Sequence, residues 1–124
     1  MAKTPEAKVK AKVVDVLKSY GAYFFYPVTG GYGRSGVPDI VCCWKGRFMG
    51  IECKANGGVI TALQMKNLND IVTQKGISLV IDDTGVGVFV LLMNEWDSNG
   101  LPPHGYIADL INQDTDWDGT KPTK

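Results

Sequence analysis

Two carboxylates and one ammonium group are spaced so that they could act together. Glu52 and Lys54 are separated by one residue of an apolar run, so a strand would place them on one face, about 6.6 Å apart. If Lys45-Gly46 is the two-residue loop of a hairpin, Asp39 faces Glu52 with their Cβ atoms about 5 Å apart. Any loop of even length on the same centre gives this register, whereas a bulge would shift it.

Carboxylates that face each other among buried positions need a compensating charge. Like charges directly opposite are destabilising, and a buried charge is costly without a partner. A hard divalent cation between Asp39 and Glu52 removes the conflict and leaves positions for water and a phosphate oxygen. Lys54 could then position the attacking water and stabilise charge that develops on phosphorus. The alternative is a buried salt bridge between a carboxylate and Lys54 that holds the hairpin together.

The order of these residues also resembles a known signature. Pro38-Asp39 followed by Glu52-Cys53-Lys54 is similar to the motif of the PD-(D/E)XK nuclease superfamily. More narrowly, three segments resemble the virus-type replication-repair nuclease (VRR-NUC) domain, and they are Gly36–Asp39, Ile51–Lys54 and Thr61–Gln64. The similarity runs from Glu6 to about Ile81. It implies an α/β, restriction-endonuclease-like core of a helix, a three-stranded antiparallel meander, a helix and a further strand.

The resemblance also implies roles for individual residues. Asp39, Glu52 and the backbone carbonyl of Cys53 would bind Mg²⁺ or Mn²⁺, and Lys54 would be the catalytic lysine. Glu6 is the candidate for the glutamate that the first helix often adds to such sites, although its charge also suits the helix dipole. Gln64 matches a glutamine near the metal in many of these domains. It equally completes a capping box with Thr61, and both roles could hold together.

Several residues are candidates for substrate contact. The glycine-rich segment Thr29–Gly36 precedes Asp39, and its backbone N–H groups could approach a phosphate. Arg34 could clamp that phosphate, with Ser35 beside it, and Tyr32 could stack on a base or sugar. The basic candidates for contacts with the DNA backbone are Lys8, Lys12, Lys45 and Arg47. The alternatives are a flexible surface loop and solvated surface lysines. The single histidine, His104, is assigned no role.

The hydrophobic pattern predicts the elements that carry these residues. A helix is capped by Thr4 and stopped by Gly21, and a second runs from Thr61 to about Lys75 with Gly76 at C′. The predicted strands are Ala22–Val28, Val37–Trp44, Arg47–Lys54 and Ile77–Ile81. The pattern of Val86–Trp96 fits a strand or a helix. From Asp97 onward the chain is polar, so we expect one nuclease domain over 1–114 and a frayed tail over 115–124.

Composition limits the function further. The 124 residues suit one domain, and their formal net charge of zero argues against a polybasic binder. The net charge is +5 for residues 1–54 and −5 for residues 55–124. This asymmetry points to an anionic partner for the first half. Three cysteines in strand-like runs, without a signal peptide, favour small buried hydrophobes in a reducing, cytoplasmic setting over disulfides or zinc. No apolar run is long enough to span a membrane.

The expected function is cleavage of branched DNA. No separate recognition helix is evident, so we expect recognition of DNA shape through the backbone, for example at a Holliday junction. Cutting both strands needs two sites, which favours a homodimer. The apolar run Val86–Met93 is a candidate dimer surface or ordinary core. The alternatives are a catalytically silent DNA-binding or assembly module, a sequence-specific restriction nuclease and an RNase.

Overall fold

The protein is an α/β domain built on one five-stranded mixed sheet. The computed structural model describes residues 4–28, 33–55 and 57–113. Over these residues the helices are α1 (Pro5–Ser19), α2 (Ala62–Thr73) and α3 (Val86–Asn99). The strands are β1 (Tyr23–Phe25), β2 (Ile40–Trp44), β3 (Arg47–Cys53), β4 (Ile77–Ile81) and β5 (Tyr106–Leu110). Helix, meander, helix and strand follow in the predicted order, and α3 and β5 are added to them.

The β2–β3 hairpin has the predicted register. Trp44 pairs with Arg47, and Val41 pairs with Gly50. The two loop residues, Lys45 and Gly46, have φ of 51° and 81°, as a type I′ turn requires. β1 pairs antiparallel with β2, while β4 and β5 extend the sheet in parallel beyond β3. β1 and β2 are both shorter than predicted, and β2 begins only at Ile40, after Pro38 and Asp39.

Helix α1 is bounded by the predicted signals. The Thr4 hydroxyl accepts a hydrogen bond from the Ala7 N–H at 3.1 Å, and Pro5 occupies the first helical position, where a missing N–H costs nothing. After the last turn, Gly21 has φ of 73°. The valines and Leu17 on the inward stripe are buried against the sheet. Glu6, in the first turn, is thereby held beside the start of β2 and the end of β3.

Helix α2 begins as predicted but ends differently. Thr61 and Gln64 form the reciprocal capping box. At the other end Lys75, and not Gly76, has the left-handed conformation, with φ of 71°. The Lys75 N–H donates to the Val72 carbonyl and the Gly76 N–H to the Ile71 carbonyl, which is a Schellman motif shifted by one residue. Position 76 has no room for a side chain, because a Cβ there would lie 2.5 Å from Cγ2 of Ile71.

Helix α3 contributes to the hydrophobic core. Val86–Asn99 is a helix, and four of its large side chains (Phe89, Val90, Met93 and Trp96) are buried in the main hydrophobic cluster. Ordinary core, one of the two predictions for Val86–Met93, accounts for these buried side chains, whereas Leu91 in the same run is 58% exposed.

Strand β5 was not predicted, since the chain from Asp97 onward is polar in sequence. Its residues alternate between partly buried and exposed, and it pairs in parallel with β4 in the register Ile77↔Tyr106. The tail 115–124, for which fraying was predicted, lies outside the described residues.

Two layers of helices cover the sheet. α1 and α3 pack on the face that carries Ile40, Ile51 and Leu79, whereas α2 packs on the opposite face, where the Ser78 hydroxyl donates to the Leu68 carbonyl. The face on the α2 side is left open over β1–β3, where Tyr23, Phe25 and Phe48 are 69, 48 and 49% exposed.

The cysteines only partly fit the prediction of buried hydrophobes. Cys42 and Cys53 are buried, and burial raises the pKa of the Cys42 thiol to about 12. Cys43 is exposed, on the open face of the sheet. Among the described residues, no helix is long and apolar enough to cross a membrane.

Candidate active site

Three carboxylates converge at one edge of the sheet. Glu6, Asp39 and Glu52 each offer an oxygen atom within 4.8 Å of the other two. They come from the first turn of α1, the residue before β2 and the end of β3, so the fold unites three separate segments. Glu6 is exposed, Asp39 is half-buried and Glu52 is buried. The structure brings these three candidate residues together, Glu6 included.

Asp39 is held by the backbone of the neighbouring strand. Its Oδ2 accepts a hydrogen bond from the Cys53 N–H at 2.8 Å. The preceding Pro38 packs over Gly50, where a Cβ would lie 2.8 Å from Cγ of Pro38 and 2.6 Å from Cδ1 of Ile71. The absence of a side chain at position 50 therefore lets the Pro38-Asp39 segment approach the sheet.

Glu52 is in an environment that disfavours its ionised form. Burial raises its pKa to about 8, and the negative charge of Asp39 adds to the rise, while Lys54 opposes it. One oxygen, Oε1, accepts a hydrogen bond from Gln64. No group among the described residues donates one to the other oxygen, Oε2, although it is buried. A proton or a cation at Oε2 would relieve this environment.

Gln64 connects the carboxylate to the lysine. Its Nε2 donates to Oε1 of Glu52 at 3.0 Å, and its Oε1 accepts from Nζ of Lys54 at 3.0 Å. The same Oε1 accepts from the Thr61 N–H at 3.0 Å. The predicted capping box is confirmed, and it orients the amide that joins Glu52 and Lys54. The place of Gln64 near a metal stays a prediction.

Lys54 is positioned by β4 as well as by α2. Its backbone N–H donates to the Ile81 carbonyl at 2.9 Å, which continues the parallel ladder one residue beyond β3. Its ammonium lies 3.9 Å from Oε1 of Glu52, and its side chain is 12% exposed. A nearly buried cation next to a buried carboxylate could stabilise negative charge on a ligand at this edge.

Cys53 contributes its backbone. Burial raises the pKa of its thiol, and the charges of Asp39 and Glu52 raise it further, so a thiolate ligand is disfavoured. The carbonyl of Cys53 as a metal ligand stays a prediction.

Lys10 is a residue of this site that the sequence analysis missed. It lines a cavity of about 200 Å³ together with Glu6, Asp39 and Cys53. Its position four residues after Glu6 was the available signal, because residues spaced in this way lie on one side of a helix.

The predicted substrate contacts divide into two groups. Lys8 and Lys12 are exposed on α1 and line a second cavity of about 200 Å³ near the acidic cluster. Arg34 and Ser35 are exposed on the segment that leads to Asp39. Tyr32 and the rest of 29–32 lie outside the described residues.

Lys45 and Arg47 are at the other end of β3, about 17 Å along the strand from Glu52. Lys45 forms an ion pair with Asp97 at 3.0 Å. The Arg47 guanidinium donates to the carbonyls of Lys75, Pro102 and His104, and so fastens the segment before β5 to the sheet. These contacts do not fit the prediction that Lys45 and Arg47 bind DNA. His104, for which no role was predicted, accepts one of these bonds through its backbone carbonyl.

Comparisons with known proteins do not assign the chain to a family. A scan against models of protein families found no match, and a search of curated proteins found no relative.

Proposed function

We propose that the protein is a divalent-metal-dependent nuclease of the PD-(D/E)XK type, similar to VRR-NUC domains, that hydrolyses phosphodiester bonds in DNA. The observation that carries the proposal is the convergence of Glu6, Asp39 and Glu52 within 4.8 Å, with the Lys54 ammonium 3.9 Å from Glu52. The order of α1, the β1–β3 meander, α2 and β4 supports it, because that order is the one expected for this superfamily.

The residues present fit a hard divalent cation. Oxygen ligands suit Mg²⁺ and Mn²⁺, and the buried Oε2 of Glu52 lacks a donor among the described residues. Asp39, Glu52 and the carbonyl of Cys53 would hold the ion, with Glu6 at the border of the site. Such an ion supplies Lewis acidity and lowers the pKa of a bound water.

The protein's own groups would do the remaining work. The Lys54 ammonium would lie against the phosphate and stabilise charge that accumulates in the transition state. Gln64 would keep Lys54 and Glu52 in fixed positions through its two 3.0 Å hydrogen bonds. Asp39 would stay oriented by the Cys53 N–H.

The finer part of the proposal is a branched substrate, such as a Holliday junction, and a homodimer. α1, α2 and α3, the helices of the described residues, all pack on the sheet, and none of them projects from it as a separate recognition element. Two copies, each with one site, would cut both strands. Together they would recognise the shape of the branched DNA. The open face of the sheet, with Tyr23, Phe25 and Phe48, supplies the apolar surface for the second copy.

One observation favours a second account, in which the polar residues are purely structural. Gln64 links Glu52, Lys54 and the start of α2, so the network would stabilise the fold without any metal. This account does not explain the buried Oε2 of Glu52 or the approach of Glu6 and Asp39 to it.

Cleavage of labelled DNA tests the proposal. Linear, flapped and four-way substrates, together with an RNA of the same sequence, are incubated with Mg²⁺, Mn²⁺ or EDTA. The proposal predicts cleavage of branched DNA that EDTA abolishes. A structural network or a silent binding module predicts none, and cleavage at one sequence in linear DNA indicates a restriction-type nuclease.

A further inference from the structure

Lys10 is placed beside the carboxylate cluster by α1. It lies about one helical turn from Glu6, and both residues line the cavity that Asp39 also lines. α1 covers one face of the sheet, whereas Lys54 is held by Gln64 of α2, which covers the other. The cluster therefore has one lysine on each side.

The Lys10 ammonium is not used to neutralise a carboxylate. Among the ion pairs between described residues, none includes Lys10, although Glu6 is four residues away. Instead, Nζ of Lys10 lies 4.8 Å from the ring centroid of Tyr26. A cation over an aromatic face is attracted to it, yet this contact does not consume the ammonium N–H groups.

The Tyr26 ring contacts a second aromatic ring, that of Phe24. Its ring packs edge-on against Phe24 with the ring centroids 6.1 Å apart, and Phe24 packs on the hydrophobic core. The aromatic pair thus restrains the lysine at the wall of the cavity. A restrained cation beside three carboxylates would allow a polyanion to approach them.

We propose that Lys10 binds a phosphate group of the DNA strand on the α1 side of the Glu6, Asp39 and Glu52 cluster, while Lys54 acts from the α2 side. This inference rests on the proposed nuclease function, and it adds a contact that would fix the path of the strand across the site. Tyr26 is the positioning residue for that contact.

The test is DNA binding by Lys10→Met, with Lys18→Met as the matched control. Lys18 is exposed on the same helix, about 12 Å further along its axis, and its removal changes the net charge equally. Affinity for a four-way junction is measured with Ca²⁺ over a range of salt concentrations. We expect Lys10→Met to weaken binding about tenfold at low salt and to reduce the slope of log K against log salt by about 0.9.

The control variants define the other outcomes. Lys18→Met should match the wild type, Lys10→Arg should retain the salt slope, and Tyr26→Leu should have an intermediate affinity. A wild-type affinity and slope for Lys10→Met would overturn the inference, and so would a loss of cleavage with DNA binding unchanged. Mn²⁺ binding to the protein without DNA is measured in parallel. Absence of Mn²⁺ binding by the wild type contradicts the proposed function, whereas the salt slope still decides the role of Lys10.

Discussion

The Gln64 amide donates a hydrogen bond to Oε1 of Glu52 at 3.0 Å, and the same side chain begins α2 by closing a capping box with Thr61. One residue thereby couples the start of a helix to the buried carboxylate of the site.

Separate substitutions can distinguish these two roles. Thr61→Ala removes the cap and should lower the free energy of unfolding by about 1 kcal/mol, with cleavage within about twofold of the wild type. Gln64→Ala also removes the contacts with Glu52 and Lys54, and we expect a loss of cleavage of at least about tenfold. Urea unfolding and initial cleavage rates measure the two effects. Equal loss of activity in both variants would show that Gln64 acts only through the helix.

The raised pKa of Glu52 makes the stability of the metal-free protein depend on pH. The pKa of Glu52 is about 8 in the folded protein, whereas that of a glutamate in the unfolded chain is near 4.5. Between these values the folded state holds a proton that the unfolded state has lost, so the free energy of unfolding falls as pH rises. The stabilising contribution is complete below about pH 4.5 and is lost by about pH 8, a change of a few kcal/mol at about 1.4 kcal/mol per pKa unit.

Glu52→Gln should flatten this dependence, because the amide stays neutral. Glu95→Gln, at an exposed position of α3, should not. Mn²⁺ should restore stability to the wild type above about pH 8, where most of the Glu52 carboxyl has lost its proton. Urea unfolding from pH 5 to pH 8.5 measures each effect. Identical profiles for Glu52→Gln and the wild type would contradict this account.

The sequence predicted best what depends on neighbouring residues. The Lys45-Gly46 turn determined the β2–β3 register, and Thr61 with Gln64 determined the start of α2. β5 could not be predicted, because its five residues lie between polar, glycine- and proline-bearing segments and its place depends on parallel pairing with β4. Val86–Trp96 is rich in β-branched residues, and only its packing in the core decides for a helix.

The same distinction applies to the site. Asp39, Glu52 and Lys54 follow from the hairpin and the motif, whereas the contribution of Glu6 and Lys10 depends on how α1 packs. Arg47 was predicted as a candidate DNA contact from its positive charge. Its actual partners, the carbonyls of Pro102 and His104, are distant in sequence.

Gly50 is expected to be intolerant of a side chain. Gly50→Ala would place Cβ 2.8 Å from Cγ of Pro38 and 2.6 Å from Cδ1 of Ile71. We expect a loss of about 1–3 kcal/mol in the free energy of unfolding, and a lower cleavage rate because Pro38-Asp39 must shift. Adding Ile71→Val removes the closer of the two atoms and should recover part of the stability but not the rate. A Gly50→Ala variant with wild-type stability and cleavage would show that the segment adjusts freely.

The open face of the sheet is the expected dimer surface. Phe48→Glu should convert a dimer to a monomer in sedimentation experiments, because it places a charge among Tyr23 and Phe25. Leu91→Glu is the matched control, at a side chain that is 58% exposed on α3. It should leave the dimer intact. A monomeric wild type, or a dimer disrupted only by Leu91→Glu, would contradict this assignment.

The most direct test of the central claim is the Mn²⁺-dependent cleavage rate of Asp39→Asn compared with Asp15→Asn. Both variants lose one carboxylate, but Asp15 is exposed on α1, about 14 Å along the helix from Glu6. The account predicts cleavage of branched DNA by the wild type and Asp15→Asn, and a loss of at least about a hundredfold for Asp39→Asn. Cleavage by Asp39→Asn at the wild-type rate, or by all three proteins in EDTA, would contradict it.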